Sequence, residues 1–521
     1  MSELKKRALI SVTDKRGVAQ FAAALHERKF DIIASGGTAA ALRDAGVPVT
    51  EISDVTGFPE TMDGRIKTLH PKIHGGILAD RSKEEHLAAA RDLGIDLIDI
   101  VAVNLYRFSE AAADPALDVR DIVEQIDIGG PTLIRSAAKN FHCVTVVVDP
   151  GDYDSVIGEL DRGDGAVSPE TRRRLASKAF HHTASYDAAI SIFFEGLETD
   201  VAELPDEIIT VYRKIRPLRY GENPHLRAAL YRTGRPVDAF GDFMQHQGKE
   251  LSYNNIQDMY SAFLLARDLG GESCAIIKHM NPCGAASCGN PLESFLRARR
   301  TDPVSAFGSV VAINGEVSGE IAEACIEGYI EVIMAKGFTD SAIARFKKRK
   351  NLRLITVETA EWERDLPGWV SREIGGLLLV QDRDEGFPEL AEMKLVTSRA
   401  PSESEEKALH LAWRTVKHVR SNAIVICDDA GTIGVGAGQM SRVDSCRIAV
   451  DKAHREGLAI EGASAASDAF FPFPDGVEVL VEAGVVAVVQ PGGSINDQKV
   501  IDAAERLGIT MLLTGRRHFR H

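Results

Sequence analysis

The chain has 521 residues, a net charge of −15 and 44% hydrophobic residues. This length allows two to four domains with large cores, and the negative charge argues against a surface that binds nucleic acid or another polyanion. The N-terminus lacks the apolar segment of a signal peptide, and no apolar run is long enough to span a bilayer. The seven cysteines are scattered and odd in number, which favours reduced thiols. We therefore expect a globular protein of the cytoplasm.

The first 150 residues alternate apolar segments with helical patterns. Strands are predicted at residues 7–12, 30–34, 97–103 and 143–148, and helices at 18–27, 39–45 and 132–140. Strand, short loop and helix in repetition indicate a parallel sheet covered by helices. One or two long helices are predicted at 169–198, and the polar stretch at 200–206 indicates a domain boundary.

The second half continues the mixed α/β pattern. Buried strands are predicted at residues 274–277, 310–313, 423–427 and 485–490, and helices at 259–269 and 407–419. The charged stretch at 345–372 has no clear pattern, and neither a short repeat nor a low-complexity segment is visible.

A glycine-rich loop at residues 35–38 joins the second predicted strand to a helix. Glycines let the backbone approach a ligand closely, and the free amides and dipole at a helix start attract anions. The loop is therefore a candidate phosphate site, although an ordinary tight turn with Thr38 as the helix N-cap explains it equally well. It lacks the Gly-Lys-Ser/Thr ending of a Walker loop.

Three further segments of the first half carry chemical groups. Residues 64–71 place two cations, a hydroxyl and an imidazole in a loop shaped by glycine and proline. Tyr106 follows a strand, so its hydroxyl is expected at the carboxyl edge of the sheet, where open α/β sheets bind ligands. Residues 125–131 lead into the helix that ends with Lys139, whose charge could also simply stabilise the helix C-terminus.

Five motifs of the first half occur in one order. They are Ser-Val-Thr-Asp-Lys at 11–15, Ala-Ser-Gly-Gly-Thr at 34–38, Gly-Arg-Ile-Lys-Thr-Leu-His-Pro at 64–71, Asn-Leu-Tyr at 104–106 and Gln-Ile-Asp-Ile-Gly-Gly at 125–130. Together they resemble the inosine monophosphate (IMP) cyclohydrolase domain of the bifunctional purine biosynthesis proteins. The resemblance implies a methylglyoxal-synthase-like parallel sheet at residues 1–148, within a cyclohydrolase domain of residues 1–199.

The resemblance also implies site residues for ring closure. It places Lys67, Tyr106, Asp127 and Lys139 around the reacting atoms. It places at the nucleotide Thr13, Asp14, Lys15, Ser35, Gly36, Gly37, Thr38, Arg65, Thr68, Asn104 and Gly129. Because the reaction is intramolecular, such a site mainly enforces a reactive rotamer and moves protons. In this interpretation Tyr106 and Lys67 stabilise an oxyanion, Asp127 orients the carboxamide, Lys139 transfers protons, and no metal is required.

The second half contains a Lys-His pair and two nearby cysteines. Lys278 and His279 directly follow a predicted strand, a placement that surface charge would also explain. Cys283 and Cys288 invite a zinc interpretation. The zinc deaminase signature, however, is His-x-Glu followed by Pro-Cys-x-x-Cys. Here the two cysteines are five positions apart and no His-x-Glu precedes them, so the sequence disfavours zinc.

Several other motifs follow in order. The aromatic run at 470–473 is either core or an apolar platform for a flat pterin, and residues 491–494 form a second candidate anion loop. Together with residues 218–225, 305–308, 420–423 and 436–442, these segments resemble the aminoimidazole carboxamide ribonucleotide (AICAR) transformylase domain of the same family. The resemblance implies a cytidine-deaminase-like domain of two similar subdomains, without the deaminase zinc, at residues 200–521.

The resemblance implies two ligands in this domain. It places at the AICAR nucleotide Arg219, Tyr220, Gly308, Glu331, Asn422 and Arg442. It places at the folate Phe307, Phe470, Asp475, Ser494 and Arg517. The Glu331 contact stays provisional, because some family members have Asp there.

The expected reaction is formyl transfer from 10-formyltetrahydrofolate to the poorly nucleophilic 5-amine of AICAR. The pKa of an unperturbed histidine lies near neutrality, so His279 is expected to remove the amine proton. Lys278 is expected to stabilise the oxyanion or protonate the leaving nitrogen, and Asn422 to lie beside the base. The resemblance further implies a homodimer with transformylase sites near the subunit interface, without nucleic-acid or membrane partners.

Two other functions are compatible with parts of the sequence. A methylglyoxal-synthase-like domain could bind a nucleotide as a regulatory sensor, but phosphate binding alone does not need Tyr106, Asp127 and Lys139. The second half could instead belong to a nucleotide deaminase or another hydrolase, which stoichiometric zinc would support. Detection of IMP from the formylated nucleotide separates the first alternative from an enzyme.

Overall fold

The apolar segments of the first 150 residues form a five-stranded parallel sheet. The computed structural model describes residues 5–62, 66–197, 204–233, 240, 243–363, 368–388 and 392–521. The chain divides into two compact units, one reaching Val211 and the other starting at Tyr212. The predicted domain boundary between residues 199 and 200 lies outside the described residues.

The sheet of the first unit has the order β3-β2-β1-β4-β5. Its strands are β1 (Lys6–Ser11), β2 (Phe30–Ala34), β3 (Thr50–Glu51), β4 (Ile100–Val103) and β5 (Thr145–Val147). All neighbouring strands are parallel. All four residues of β4 are buried, as expected for a parallel strand that is covered on both faces.

Ten helices of the first unit are described, and those that cover the sheet follow the predicted apolar spacing. They are α1 (Val18–Glu27), α2 (Gly36–Asp44), α3 (Ile52–Thr56), α4 (Pro71–Leu78), α5 (Glu84–Asp92), α6 (Phe108–Ala112), α7 (Val119–Val123), α8 (Gly129–Lys139), α9 (Tyr153–Arg162) and α10 (Pro169–Glu195). In α1 the buried residues Val18, Phe21, Ala22 and Leu25 form one helical face. No described helix is long and apolar enough to cross a membrane.

The second unit contains two six-stranded sheets and two small hairpins. The first large sheet consists of β8 (Phe243–Gln247), β9 (Ser273–Lys278), β10 (Asn281–Ser287), β11 (Ser309–Val317), β12 (Ile330–Phe338) and β13 (Arg353–Val357). The second consists of β16 (Lys394–Leu395), β17 (Ile424–Cys427), β18 (Thr432–Gly436), β19 (Ser464–Ser467), β20 (Ala487–Gln490) and β21 (Thr510–Leu513). The hairpins are β6 (Tyr212–Leu218) with β7 (Ala228–Thr233) and β14 (Trp369–Ile374) with β15 (Leu377–Asp382).

The helices of the second unit alternate with these strands. They are α11 (Tyr253–Leu269), α12 (Pro291–Thr301), α13 (Gly319–Ile326), α14 (Asp340–Phe346), α15 (Thr359–Glu363), α16 (Glu403–Val416), α17 (Arg442–Arg455), α18 (Asp475–Glu482) and α19 (Asp497–Arg506). Helices α11 and α16 each begin with a serine capping box, at Ser252 and Ser402.

The two large sheets share one topology. Their strand orders are β10-β9-β11-β12-β13-β8 and β18-β17-β19-β20-β21-β16. In each, an antiparallel hairpin is followed by one antiparallel neighbour, two parallel strands and an antiparallel edge strand. The predicted fold class, a parallel-sheet domain followed by a domain of two similar halves, is confirmed.

Two details differ from the sequence-based predictions. Helix α2 begins at Gly36 with Ser35 as the N-cap residue, so Thr38 is not the cap. The hydroxyl of Thr38 instead bonds the backbone N–H and C=O of Val12 at 3.0 and 3.1 Å. The charged stretch at 345–372, which showed no clear pattern, contains β13 and α15, because tertiary packing buries short apolar segments there.

Glycines on equivalent strands allow each sheet to approach its helix closely. A Cβ atom on Gly284 of β10 would lie 2.0 Å from the carbonyl oxygen of Ala298 on α12. One on Gly436 of β18 would lie 1.9 Å from the carbonyl oxygen of Ser445 on α17. Both distances are far below van der Waals contact, so any larger residue must push the helix away.

We expect Gly436→Ala to lower the free energy of unfolding of the second unit by about 3 kcal/mol, because the added methyl overpacks the contact with α17. The matched control is Gly271→Ala, where a Cβ meets nothing within 4 Å. Urea unfolding followed by tryptophan fluorescence measures both, since all three tryptophans, Trp362, Trp369 and Trp413, belong to this unit. Equal midpoints for the two variants would contradict the packing argument.

Candidate active sites

Three strand ends of the first unit surround a cavity of about 680 Å³. The order of the sheet reverses between β1 and β4, the position where open α/β sheets bind ligands. There the N–H groups of Thr13 and Asp14 donate to Oδ1 of Asn104 at 2.7 and 2.9 Å. The predicted residues that line the cavity are Thr13, Lys15, Ser35, Gly37, Thr38, Lys67, Thr68, Asn104, Tyr106, Asp127 and Gly129.

One end of the cavity is built for an anion. Ser35 is only 7% exposed, and its hydroxyl has no hydrogen-bond partner among the described residues. A Cβ atom on Gly36 would lie 3.7 Å from Nζ of Lys67, and one on Gly37 would lie 3.7 Å from Nζ of Lys15. Two ammonium groups therefore flank the start of α2, where the helix amides and dipole also favour negative charge. This arrangement suits a phosphate group.

The cavity also contains a half-buried carboxylate, that of Asp127. Burial raises the pKa of Asp127, while a hydrogen bond from the N–H of Gly130 at 2.7 Å and the charge of Lys67 oppose that rise. A Cβ on Gly130 would lie 2.6 Å from Oδ2 of Asp127, so only glycine fits there. With Tyr106 beside it in the lining, the cavity combines an acceptor, an ammonium group and a phenol.

Tyr186 of helix α10 is a residue that the sequence reasoning missed. Its hydroxyl donates to the carbonyl of Gln125 at 3.1 Å and accepts the N–H of Asp127 at 2.8 Å. Burial raises the pKa of Tyr186 to about 12, so the phenol keeps its proton at neutral pH. The tyrosine therefore fixes the backbone that carries Asp127, from a position 59 residues further along the chain.

Three predicted residues of this site do not line the cavity, and a fourth lies outside the described residues. Gly36 is absent from the cavity lining, although it adjoins Lys67. The carboxylate of Asp14 accepts hydrogen bonds from Arg16, which lower its pKa to about 2, and it also does not line the cavity. Lys139 is the last residue of α8, roughly 15 Å along the helix from Gly129. Arg65 lies outside the described residues.

In the second unit, antiparallel pairing brings Lys278, Phe307 and Gly308 together. The end of β9 meets the start of β11, which runs parallel to β12. Nζ of Lys278 donates to the carbonyl of Phe307 at 2.7 Å, and the N–H of Gly308 donates to the carbonyl of Tyr329 at 2.7 Å. The rings of Phe307 and Tyr329 are 5.0 Å apart, and that of Phe307 is 64% exposed, which leaves it available to a flat ligand.

Charged residues extend this cluster. Arg353 lies 3.7 Å from the carboxylate of Glu331, and Asn255 donates to the same carboxylate at 3.0 Å. Burial lowers the pKa of Arg353, and the nearby charge of Arg219 lowers it further. The guanidinium of Arg219 stacks 4.6 Å from the ring of Tyr220, and both residues interact electrostatically with Arg353, the neighbour of Glu331. Sequence reasoning missed Arg353 and Asn255, which fall outside the recognised motifs.

His279 and Met280 form the turn between β9 and β10. Their φ angles are 52° and 61°, a left-handed conformation that costs non-glycine residues roughly 1–2 kcal/mol each. The side chain of His279 is exposed. Two consecutive non-glycine residues with positive φ are uncommon, which makes this turn a candidate functional position.

A second cavity, of about 560 Å³, lies between Asn422, the start of α17 and the aromatic run. The predicted residues in its lining are Asn422, Arg442, Phe470 and Asp475. Arg442 donates to Asn422 Oδ1 at 2.8 Å and is held by an ion pair with Asp468. The backbone N–H of Arg420, two residues before Asn422, donates to Oδ1 of Asn281 at 3.0 Å, so the segment that leads to Asn422 contacts the β9–β10 hairpin.

Three predicted folate contacts do not line this cavity, namely Ser494, Arg517 and Phe307, whose ring lies beside that of Tyr329. The hydroxyl of Ser494 accepts the N–H of Asn496 at 3.1 Å, and the N–H of Ser494 donates to Asp497. The guanidinium of Arg517 lies 4.8 Å from the ring of Phe519, which does line the cavity. Within the aromatic run, Phe471 is buried, as a core role predicts, whereas Phe473 is 58% exposed.

Comparison with known proteins identifies a family for the chain. A family model described as MGS-like domain matches residues 17–132, and one described as AICARFT/IMPCHase bienzyme matches residues 137–452. The solved structures similar to the chain include one titled "Crystal structure of ForH". It is 39% identical over 36% of this chain and 98% of that chain, with a TM-score of 0.34. Because the bienzyme model covers more than half of the sequence, the chain belongs to the AICARFT/IMPCHase bienzyme family.

Proposed function

We propose that this protein transfers a formyl group from 10-formyltetrahydrofolate to the 5-amine of AICAR and then cyclises the product, FAICAR, to IMP with loss of water. The first unit would perform the cyclisation and the second the transfer. The observation that carries the proposal is the first cavity. In this cavity the N-terminus of α2 is flanked by Lys15 and Lys67, an arrangement suited to a nucleotide phosphate. The cavity also contains Asp127 and Tyr106, which phosphate binding alone does not need.

In the proposed cyclisation, the carboxamide nitrogen of FAICAR attacks the formyl carbon of the same molecule. Tyr106 and Lys67 donate hydrogen bonds to the oxygen that becomes negative, and Asp127 accepts from the carboxamide nitrogen. Tyr186 keeps Asp127 in place through its backbone. The intramolecular attack needs orientation more than activation, which suits a preformed cavity. Lys139 remains the proposed proton carrier on the strength of the family resemblance.

In the proposed transfer, the amine nitrogen of AICAR attacks the formyl carbon of the folate and loses a proton to His279. The bond between the formyl carbon and N10 of the folate then breaks, and N10 takes up a proton. Lys278, fixed by the carbonyl of Phe307, stabilises the tetrahedral oxyanion. Asn422 and Glu331 would bind the nucleotide beside the turn, and Phe307 and Phe470 would contact the pterin.

The resemblance also supports a cytoplasmic homodimer with transformylase sites near the subunit interface. Analytical ultracentrifugation of the full chain measures its oligomeric state. A monomer with full transfer activity would remove the dimer from the proposal.

A two-substrate assay tests the function directly. We expect the purified chain, given AICAR and 10-formyltetrahydrofolate, to yield IMP, identified by its mass. FAICAR alone should also yield IMP without folate, because ring closure needs no second substrate. Failure to convert either starting nucleotide would contradict the proposal, and binding of FAICAR without conversion would favour a nucleotide sensor.

We expect His279→Ala to lower kcat for formyl transfer by 10²-fold or more while FAICAR cyclisation continues at the wild-type rate. The loss follows from removing a general base, which contributes roughly 10²–10⁴-fold. His454→Ala is the matched control, because His454 is an exposed histidine at the end of α17. Equal loss of both activities in a folded His279→Ala protein would contradict separate sites.

We expect Tyr106→Phe and Lys139→Ala to lower kcat for cyclisation and to leave formyl transfer unchanged. The first variant removes one donor to the oxyanion, an effect of roughly 10²-fold or more. Lys83→Ala, a change at an exposed lysine before α5, controls for loss of charge. Wild-type cyclisation by Lys139→Ala would remove that lysine, which lies outside the cavity lining, from the mechanism.

A further inference from the structure

The turn that carries His279 has a conformation that its own residues disfavour. Lys278 pairs with Asn281 across the β9–β10 hairpin, so the loop consists of His279 and Met280 alone. With both φ angles positive, it corresponds to a type I′ turn, which strongly favours Asn-Gly. A His-Met pair therefore needs contacts from elsewhere in the protein to stay in this form.

Those contacts come mainly from helix α11. Oδ1 of Asp258 accepts the backbone N–H of Met280 at 2.7 Å, and the same carboxylate interacts with the backbone N–H of His279. Within the turn, Nδ2 of Asn281 donates to the carbonyl of His279 at 3.2 Å. Asp258 thus holds the Met280 amide of the strained turn, from a position 22 residues earlier in the chain.

The part of helix α11 that carries Asp258 is fixed by its own contacts. Helix α11 begins with the Ser252–Asn255 capping box, and Met259, next to Asp258, is fully buried. One turn before Asp258, Asn255 donates to Glu331 at 3.0 Å. Burial raises the pKa of Asp258, and the hydrogen bonds from the turn oppose that rise. The first two turns of α11 therefore hold two parts of the candidate transformylase site.

We propose that Asp258 is a positioning residue for formyl transfer, which sets the direction of the His279 imidazole by accepting hydrogen bonds from the backbone of its turn. The inference rests on the proposed function of the second unit. Asp258 acts through the peptide groups of the turn and not on the substrate. In this proposal the acceptor oxygen of Asp258 is the essential feature, and the charge interaction between its carboxylate and His279 is secondary.

Two substitutions separate these features. Asp258→Ala removes the acceptor, and we expect kcat for formyl transfer to fall about 100-fold with the KM of both substrates within threefold, as misplacing a catalytic group by about 1 Å would predict. Asp258→Asn keeps an oxygen acceptor without the charge and should retain transfer within fivefold of the wild type. Equal losses in the two variants, or a loss expressed in KM alone, would overturn the proposal.

A rescue experiment tests the cause of the loss. Glycine adopts positive φ without strain, so adding Met280→Gly to Asp258→Ala should restore kcat at least tenfold relative to Asp258→Ala alone. Absence of rescue would overturn the proposal. If Asp258→Ala does not fold, kcat of the double variant is compared with kcat of Asp258→Asn and of the wild type.

Hydrogen exchange provides a readout that does not need activity. We expect the amide of Met280 to be protected in the wild type and in Asp258→Asn, and to exchange at least tenfold faster in Asp258→Ala. Unchanged exchange in Asp258→Ala would overturn the positioning role. A wild-type protein without formyl transfer activity but with this exchange pattern would refute the proposed function and leave the turn contact established.

Discussion

Two buried threonines join the halves of the second unit, and the candidate transformylase site depends on that junction. Thr301 and Thr432 bond each other through their hydroxyls at 2.8 Å, and Oγ1 of Thr432 accepts the N–H of Ala285 at 2.9 Å. This contact crosses from the first six-stranded sheet to the second. Beside it, an antiparallel bridge between Ala286 and Gly431 joins the end of β10 to the residue before β18. At the other end of β10, Oδ1 of Asn281 accepts the N–H of Arg420, so the hairpin that carries His279 meets the segment that leads to Asn422. Neither half alone contains both His279 and Asn422.

The sequence predicted regular elements well where burial alone decides them. Helix α1 and strand β2 occupy the predicted residues, because their apolar periods match a helix face and a buried strand. Strand β13 was missed, since its neighbours are charged and only pairing with β12 and β8 shows it to be a strand. The two halves share one topology, but no repeat is visible in the sequence. A shared strand order determines which positions are buried and does not determine which residues occupy them.

The candidate sites were predictable to the extent that their residues belong to compact motifs. The loop at 35–38 and the residues near Asp127 follow strand ends or start helices, and chain topology alone brings them to one sheet edge. Tyr186 and Asp258 could not be found in this way, because each acts on the backbone of a distant loop. A single tyrosine or aspartate on a helix has no local pattern that distinguishes it from an ordinary surface residue. Tertiary structure is needed to reveal positioning residues of this type.

The two proposed reactions pose one chemical problem, a nitrogen that is a weak nucleophile because it is conjugated. In the first unit the nucleophile and the formyl carbon belong to one molecule, so a rigid cavity with a few donors is sufficient. In the second unit the reactants are separate and a proton must be removed, which requires a base at a defined position. If the proposed reactions are correct, that difference accounts for the positive φ of His279, whereas the loop at 35–38 in the first cavity reaches positive φ at a glycine, Gly36. If the equilibrium of formyl transfer is poorly favourable, ring closure removes its product. A single chain that carries both activities keeps the two active sites in equal amounts.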